Sequence, residues 1–202
     1  MKIKVCGMKD AQNVRNAAEL GIDMIGFIFY PLSKRYVGDQ EVIPTSRVLR
    51  VGVFVDESLS QIAERAETWN LDALQLHGSE SPEFCRILGS LGLPLVKAFS
   101  VDEDFDFGEL DPYKEVVDFF LFDTKGKYPG GNGYRFDWRL LDDYKLAVPF
   151  WLSGGIGPGL AEEIKKLRHP GLYAVDLNSR FEDEPGMKNI EKLKSFVDEL
   201  QN

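Results

Sequence analysis

Cysteine, histidine and long apolar runs are all scarce in this sequence. Two cysteines and two histidines occur among 202 residues, so neither a disulfide framework nor a histidine-rich metal site is expected. No apolar run is long enough to cross a bilayer, and the opening MKIKVCGMKD is too short and too polar for a signal peptide. The composition predicts a cytoplasmic protein with no membrane partner, no metal and no other cofactor.

Basic residues are also in the minority. Lys and Arg number 24 against 33 Asp and Glu, which gives a formal net charge of −9. Nonspecific nucleic-acid binding depends on basic patches that neutralise phosphates, so no nucleic-acid partner is expected. The overall field opposes the approach of an anionic substrate. Local backbone N–H groups and a few cationic side chains would have to reverse that field.

What the sequence does contain is eight short apolar runs, which recur at a supersecondary period of roughly 20–26 residues. A chain of 202 residues suits one domain and is near the lower limit for an eight-stranded α/β barrel. We therefore expect a single domain over residues 1–202 with short loops. The predicted strands cover residues 3–8, 24–29, 50–55, 73–77, 95–100, 119–124, 150–156 and 174–179.

The segments between the runs show helical periodicity. Ser81 before Pro82 marks one helix start, and Pro158 suggests another. Pro44 limits the segment 38–49 to a short helical piece. Strand followed by helix, eight times over, predicts a parallel α/β fold. The count favours a (β/α)8 TIM barrel over a doubly wound open sheet, since neither GxGxxG after the first run nor GxxxxGK[ST] occurs.

Active sites of such barrels form at the carboxyl ends of the strands, where Cys6 ends the first run. Side chains alternate along a strand, so Lys4 and Cys6 share a face. A lone strand cysteine is most often a small core residue. At a strand end, however, a thiolate could act as a base or a nucleophile. Cys85 lies in a helical stretch and is interpreted as a packing residue.

Asp123 ends the sixth run after the apolar residues FFLF, and desolvation there favours the protonated, proton-donating form. A helix cap is the alternative, but the following loop is long and Asp137 is better placed for capping. That loop is rich in glycine, which suggests a mobile flap over the site or a plain surface loop. Its glycines are Gly126, Gly130, Gly131 and Gly133.

His77 and Arg35 are candidate substrate-binding residues at other strand ends. His77 shares a strand face with Gln75, and it is either a substrate contact or a hydrogen-bonded structural residue. Arg35 follows the second run and is either a solvated loop charge or a bidentate partner for a carboxylate or phosphate. A protein of this net charge that binds an anion needs such a group.

The last two strand ends indicate a phosphate site. Gly154 and Gly155 stand at the end of the seventh run, while Asp176, Asn178 and Ser179 end the eighth. Loops after these strands often bind phosphate in barrels through backbone N–H groups, and glycine lets the backbone approach an anion closely. A glycine pair by itself is typical of a simple turn. Its position beside a polar strand end favours binding of a phosphorylated small molecule.

Taken in chain order, these segments resemble the phosphoribosylanthranilate isomerase family. The matching pieces are KVCGMKD (4–10), GFIFYPLSKRYV (26–37), VGVFVD (51–56), LQLHG (74–78), FDT (122–124), GGNGYRFDW (130–138), LSGGI (152–156), VDLNS (175–179) and PGMKN (185–189). Each piece is common by itself, whereas the ordered set covers nearly the whole chain and is specific.

The resemblance implies a (β/α)8 barrel that catalyses an Amadori rearrangement in tryptophan biosynthesis without metal or redox cofactor. It implies that Asp123 is the general acid, that Cys6 is the general base and that Arg35 binds the anthranilate carboxylate. The phosphate would lie at the loops after strands seven and eight. One departure is Arg180, which stands where family members commonly have glycine, so the strand-eight loop is expected either to differ in shape or to gain a charge.

Other functions fit the residues less well. A sugar-phosphate epimerase would want opposed acids and histidine metal ligands, of which only His77 is suitably placed. An indoleglycerol-phosphate synthase would want a catalytic lysine at the barrel mouth, and Lys97 lies in the fifth run with nothing else to support that role. A non-catalytic barrel that binds a phosphorylated ligand is the alternative from another class. Such a protein has no need of both Cys6 and Asp123 at strand ends. The sequence leaves the oligomeric state open.

Overall fold

The computed structural model describes residues 1–38, 40–45, 47–126 and 135–202. Eight parallel strands, each hydrogen-bonded to the next, close into a barrel through pairing of the last with the first. The strands are β1 (Lys2–Cys6), β2 (Met24–Ile28), β3 (Leu49–Phe54), β4 (Ala73–Leu76), β5 (Leu95–Val101), β6 (Phe119–Thr124), β7 (Phe150–Leu152) and β8 (Leu172–Leu177). The predicted (β/α)8 barrel is confirmed, and the open sheet is wrong.

Five α-helices lie in the described ranges, and none of them has the length and apolar character needed to cross a membrane. They are α1 (Ala11–Ala18), α2 (Leu59–Thr68), α3 (Pro82–Leu88), α4 (Ala161–Lys166) and α5 (Ile190–Gln201). Ser81 caps α3 as predicted, because its side chain accepts a hydrogen bond from the Phe84 N–H. The role predicted for Pro158 is wrong, since α4 begins only at Ala161, after Leu160.

Shorter turns replace the remaining helices. Phe107–Tyr113 after β5 and Trp138–Asp143 after β6 are 3-10 segments, and Asp137 caps the second of them as predicted. The described residues between β2 and β3 contain no helix, so the short helical piece predicted over 38–49 is absent, in keeping with Pro44. That loop instead forms a bridge from Tyr36 to β2, which holds the segment containing Arg35 against the barrel.

Alternation along the strands produces two separate cores. The larger core lies between the barrel wall and the outer helices. The smaller core is the floor of the barrel, and it consists of Met24, Val51, Ala73, Val96, Ala98, Leu121, Trp151 and Ala174. Two residues beyond Ala73 and Ala174 on the same inward face come Gln75 and Asp176, and Asp176 pairs in register with Lys4 of β1. A polar layer therefore lies directly above an apolar floor.

Candidate active site

A cavity opens at the carboxyl ends of the strands, with a volume of about 700 Å³ that includes its open mouth. It brings together all the residues predicted to form the site, although their roles stay predictions. They are Cys6, Arg35, His77, Asp123, Gly154, Gly155, Asp176, Asn178 and Ser179. Tyr30, Gln75 and Ser153 also line the cavity. The location agrees with the general placement of active sites in barrels of this class.

Cys6 is the last residue of β1 and only 4% of it is exposed. Its neighbour in the barrel wall is Gly26 of β2, where a Cβ atom would stand 2.7 Å from the Cys6 Sγ. Glycine at that position therefore makes the space in which the thiol sits. Burial raises the pKa of the Cys6 thiol, and the Asp176 carboxylate adds to this, while the ammonium groups of Lys4 and Lys188 act in the opposite direction.

Lys4 lies fully buried beneath Cys6 on the same face of β1. Its Nζ donates hydrogen bonds of 2.7 Å to Asp176 Oδ2 and 2.7 Å to Gln75 Oε1, and it lies 5.7 Å from the centre of the Trp151 ring. Burial opposes its charge, yet the ion pair with Asp176 leaves the pKa of Lys4 raised. A buried cation with two polar partners is therefore part of the site, and Lys4 was not among the predicted site residues.

Asp123 is held at the end of β6 with 3% exposure. Its Oδ1 accepts the Thr124 N–H at 2.9 Å, and its Oδ2 lies 3.3 Å from Nε2 of His77. Gly154 of the β7–α4 loop passes very close, since a Cβ there would stand 2.8 Å from Asp123 Oδ1. The acid candidate thus faces the cavity between a backbone N–H and an imidazole.

Arg35 reaches the cavity from the loop after β2. The aliphatic part of its side chain packs against Gly7, where a Cβ atom would stand 2.6 Å from the Arg35 Cδ. Its guanidinium forms a bidentate ion pair with Glu182, with Nε to Oε1 at 2.8 Å and Nη2 to Oε2 at 2.7 Å. Nη1 takes no part in this pair, so its two N–H donors are not needed to hold Glu182. Arg35 is therefore a positioned side chain, not a solvated loop charge.

Glu182 belongs to a small hairpin formed by β9 (Glu182–Glu184) and β10 (Met187–Lys188). Lys188 Nζ donates to Glu182 Oε1 at 2.6 Å and to Asn178 Oδ1 at 2.7 Å. Burial would raise the pKa of Glu182, but its bonds to Arg35 and Lys188 outweigh this and hold it low. Burial lowers the pKa of Lys188 to about 8. Two cations around one carboxylate leave this part of the cavity positively charged.

The two predicted phosphate loops meet at the cavity. Gly154 and Gly155 have φ values of +87° and +68°, which glycine adopts at little cost. The backbone N–H groups of Gly154, Gly155 and Ile156 have no acceptor among the described residues. Unpaired N–H groups at a cavity are a suitable arrangement for an anion.

Arg180 does not need the left-handed backbone of the glycine that it replaces. The strand-eight loop forms a 3-10 turn over Ser179–Phe181, and the non-glycine residues with positive φ in the described ranges do not include Arg180. Its side chain packs over Gly157, where a Cβ would stand 3.1 Å from the Arg180 Cβ. Arg180 therefore runs from the strand-eight loop towards the strand-seven loop.

Two further predictions concern the glycine-rich loop after β6 and Lys97. The glycine-rich flap includes Gly130, Gly131 and Gly133, which lie outside the described residues. Lys97 does not line the cavity, because its Nζ pairs with Glu80 at 3.1 Å and donates to the Gly78 carbonyl at 2.7 Å. A catalytic lysine of the synthase type is thus not found at this position. In the ranges that the structure covers, no group of three or more His, Cys, Asp or Glu side chains is arranged to hold a metal ion.

Four residues of the hydrogen-bonded network around the cavity were not among the predicted site residues: Lys4, Gln75, Glu182 and Lys188. Two of them had a visible signal, since Lys4 and Gln75 stand two residues before Cys6 and His77 on strands that the pattern predicted to be buried. No such signal pointed to Glu182 or Lys188, because they lie in the hairpin beyond β8 and not at a predicted strand end.

Comparison with known proteins is consistent across sequence and structure. The profile of the family described as N-(5'phosphoribosyl)anthranilate (PRA) isomerase matches residues 3–199. A relative from Parabacteroides distasonis, named N-(5'-phosphoribosyl)anthranilate isomerase, is 48% identical, and the match covers 99% of this chain and 93% of that protein.

Solved structures give the same result. The phosphoribosyl anthranilate isomerase of Thermotoga maritima is 33% identical and superposes with a TM-score of 0.86, covering 100% of this chain and 98% of its own. A phosphoribosyl anthranilate isomerase in complex with reduced 1-(o-carboxyphenylamino)-1-deoxyribulose 5-phosphate is 32% identical, with a TM-score of 0.83 and the same coverage, 100% and 98%.

Proposed function

This chain belongs to the N-(5'-phosphoribosyl)anthranilate isomerase family, and from that premise we propose that Asp123 and Cys6 are the acid and the base of its reaction. The protein is an isomerase of tryptophan biosynthesis that catalyses the Amadori rearrangement of N-(5'-phosphoribosyl)anthranilate. The observation that carries the proposal is the position of the two side chains, which face one cavity from β6 and β1.

In the first step the protonated Asp123 carboxyl donates its proton to the ring oxygen of the ribose. The bond between that oxygen and C1′ breaks, and the nitrogen lone pair forms a C=N bond, so an open-chain Schiff base with a cationic nitrogen results. Asp123 is left as a carboxylate. The Thr124 N–H on Oδ1 and the nearby His77 ring stabilise the charge that develops there.

In the second step the Cys6 thiolate removes the proton from C2′. The electron pair of that C–H bond forms the C1′=C2′ bond, and the electrons of the C=N bond return to nitrogen, which yields a neutral enolamine. Because burial raises the pKa of the thiol, ionisation of Cys6 has to be assisted. Lys4 and Lys188 supply positive charge from the protein, and the Schiff-base nitrogen supplies it from the substrate.

Ketone formation then restores both side chains. The enolamine gains a proton at C1′ and loses the proton of its C2′ hydroxyl group, so the substrate exchanges one proton for another. If the Cys6 thiol gives the first and the Asp123 carboxylate takes the second, the acid and the base return to their starting forms. No oxidant, reductant or metal is required by this balance.

The two ends of the substrate are anionic, and we propose a separate site for each. Arg35 binds the anthranilate carboxylate through Nη1, since Glu182 occupies its Nε and Nη2. The loops that contain Gly154, Gly155 and Ser179 hold the phosphate with backbone N–H groups. These local donors oppose the net charge of −9.

We also propose a cytoplasmic location. Cys6 and Cys85 are both free, and a base thiol has to stay reduced, which the cytosol favours. Fractionation of the native host, with detection of the protein in the soluble cytosolic fraction, would test this.

The proposed roles are tested by following the fluorescence of phosphoribosylanthranilate as purified protein consumes it. We expect Asp123→Asn to lower kcat by several orders of magnitude and Cys6→Ala to cause a large loss. Cys85→Ala is the matched control, since this cysteine lies on α3 outside the cavity, and it should retain wild-type turnover. Substantial turnover by Asp123→Asn would contradict the acid role, and tight phosphate binding without wild-type turnover would favour a non-catalytic barrel.

A further inference from the structure

A chain of buried polar groups lies below the cavity and leads to the proposed acid. It runs from Asp176 through Lys4 and Gln75 to His77 and ends at Asp123. Lys4 is fully buried, and Gln75 is 1% exposed. In the proposed reaction Lys4 only supplies positive charge near Cys6, and Gln75 takes no part. Burying such groups is unfavourable unless they are fully paired, so their arrangement calls for a physical explanation.

The hydrogen-bonding capacities determine the direction of every bond in this chain. The Lys4 ammonium has only donors, so the Gln75 atom that faces it at 2.7 Å must be the carbonyl oxygen Oε1. The Gln75 Nε2 group then lies 3.0 Å from Nδ1 of His77. Because an amide NH₂ only donates, Nδ1 must accept and carries no hydrogen.

The hydrogen of His77 is therefore on the other ring nitrogen. Nε2 faces Oδ2 of Asp123 at 3.3 Å, and it makes no well-aligned hydrogen bond with the described residues. An Nε2–H group there can tighten onto the carboxylate once the Asp123 proton has left, as catalytic contacts commonly do when the substrate is bound. The opposite tautomer would place a bare nitrogen against that carboxylate.

Lys4 also acts on Cys6, the proposed base. It lies two residues before Cys6 on one face of β1, and its charge is the largest of the influences that lower the pKa of the thiol. The other charged groups that face Cys6 are Asp176 from β8 and Lys188 from β10. The carboxylate of Asp176 in turn holds Lys4 in place at 2.7 Å.

We propose that Lys4 is a positioning residue for both halves of the reaction, since it sets the His77 tautomer through Gln75 and supplies positive charge beneath Cys6. The proposal rests on the acid and base roles given above. Lys4 contacts no substrate atom in this scheme. It acts on the acid through two other side chains and on the base through its field.

The tautomer is measured directly by long-range ¹H–¹⁵N correlation spectra of the histidine rings. The chain has two histidines, so assignment needs only a His169→Gln variant. We expect His77 to carry its hydrogen on Nε2 and none on Nδ1 at neutral pH. His169 is an internal reference, because its Nδ1 accepts the Gly171 N–H at 3.0 Å independently of Lys4. A hydrogen on His77 Nδ1 would overturn the proposal.

Two variants then test the hydrogen-bonded chain from Lys4 through Gln75 to His77. In Gln75→Met and in Lys4→Met we expect the His77 ring to lose its single tautomer, and kcat to fall on the order of 10- to 100-fold with a smaller change in KM. Lys97→Met is the matched control, since it removes another buried lysine with a carboxylate partner, outside the cavity. It should keep the His77 tautomer and kcat. If Lys4→Met does not fold, Gln75→Met still decides the point, and an unchanged tautomer and kcat there would refute it.

The effect on the base is measured by the pH dependence of Cys6 alkylation in a Cys85→Ala background. We expect Lys4→Met to move the midpoint upward by about one pH unit, whereas Lys97→Met should leave it in place. An unmoved midpoint in Lys4→Met would refute this half. Failure of the proposed function looks different, since active Asp123→Asn or Cys6→Ala enzyme would contradict those roles without changing the ring spectra or the alkylation profile.

Discussion

Replacing Gly154 by alanine should damage catalysis far more than its backbone conformation alone would suggest. Gly154 has a φ of +87°, and a Cβ there would stand 2.4 Å from the Thr124 backbone nitrogen and 2.8 Å from Asp123 Oδ1. The nitrogen belongs to the barrel wall, so it cannot move aside as a flexible side chain would. Reaching an ordinary contact of 3.4 Å requires a shift of about 1 Å, the difference between 3.4 and 2.4 Å.

The effect of such a displacement on the catalytic rate can be estimated. Misplacing a catalytic group by about 1 Å is enough to lower a rate about 100-fold. We therefore expect Gly154→Ala to lower kcat by about two orders of magnitude. Stability should fall as well, by about 1–2 kcal/mol for the left-handed backbone and about 1–3 kcal/mol for the overlap.

Gly159 offers a matched control in the same loop. Its φ is +85°, but a Cβ there would meet nothing within 4 Å. Gly159→Ala should therefore lose only the backbone contribution of about 1–2 kcal/mol and keep wild-type kcat. Urea unfolding and the fluorescence assay measure the two quantities. Equal kcat values for both variants, or an equal loss of stability, would refute the reasoning.

The remaining predictions concern the base, the carboxylate site and stability at high pH. Gly26→Ala places a methyl group 2.7 Å from Sγ of Cys6, so kcat should fall on the order of tenfold or more in the fluorescence assay with KM little changed. Arg35→Lys cannot hold Glu182 and a substrate carboxylate at once, so KM should rise roughly tenfold or more, and an unchanged KM would contradict the carboxylate role. Burial raises the pKa of Cys85 from 9.0 to about 11, so the folded protein retains this proton when the unfolded chain has lost it. Stability is therefore present below pH 9 and falls between about pH 9 and 11, by up to about 2 kcal/mol, and Cys85→Val should remove that fall in urea titrations at each pH.

Arg180 shows how a local rule and its tertiary outcome can differ. Replacement of a family glycine predicted either a changed loop shape or an added charge. The loop forms a 3-10 turn that a non-glycine residue adopts without strain, and the side chain extends over Gly157 towards the other phosphate loop. The change of residue is thus accommodated within the loop itself.

Pairings across the chain were the part of the site that sequence reasoning could not supply. Arg35 and Glu182 are 147 residues apart, and Lys4 and Asp176 are 172 apart. Periodicity reports the face on which a side chain lies but not which distant partner shares that face. For the same reason the sequence by itself allows Arg35 to be either a solvated charge or a bound one.

The amino-acid sequence by itself determined the pattern of eight strands, five of them followed by a described α-helix, and the polar residues at the strand ends. Both follow from local rules, since apolar periodicity reports burial and a strand's last inward residue must face the barrel mouth. Only the tertiary structure decided the protonation and the orientation of these side chains. Closure of the barrel brings close the groups that determine three properties of the site: the pKa of the Cys6 thiol, the tautomer of His77 and the position of the Arg35 guanidinium. Electrostatic interactions act through space and not along the chain, so the sequence does not report them.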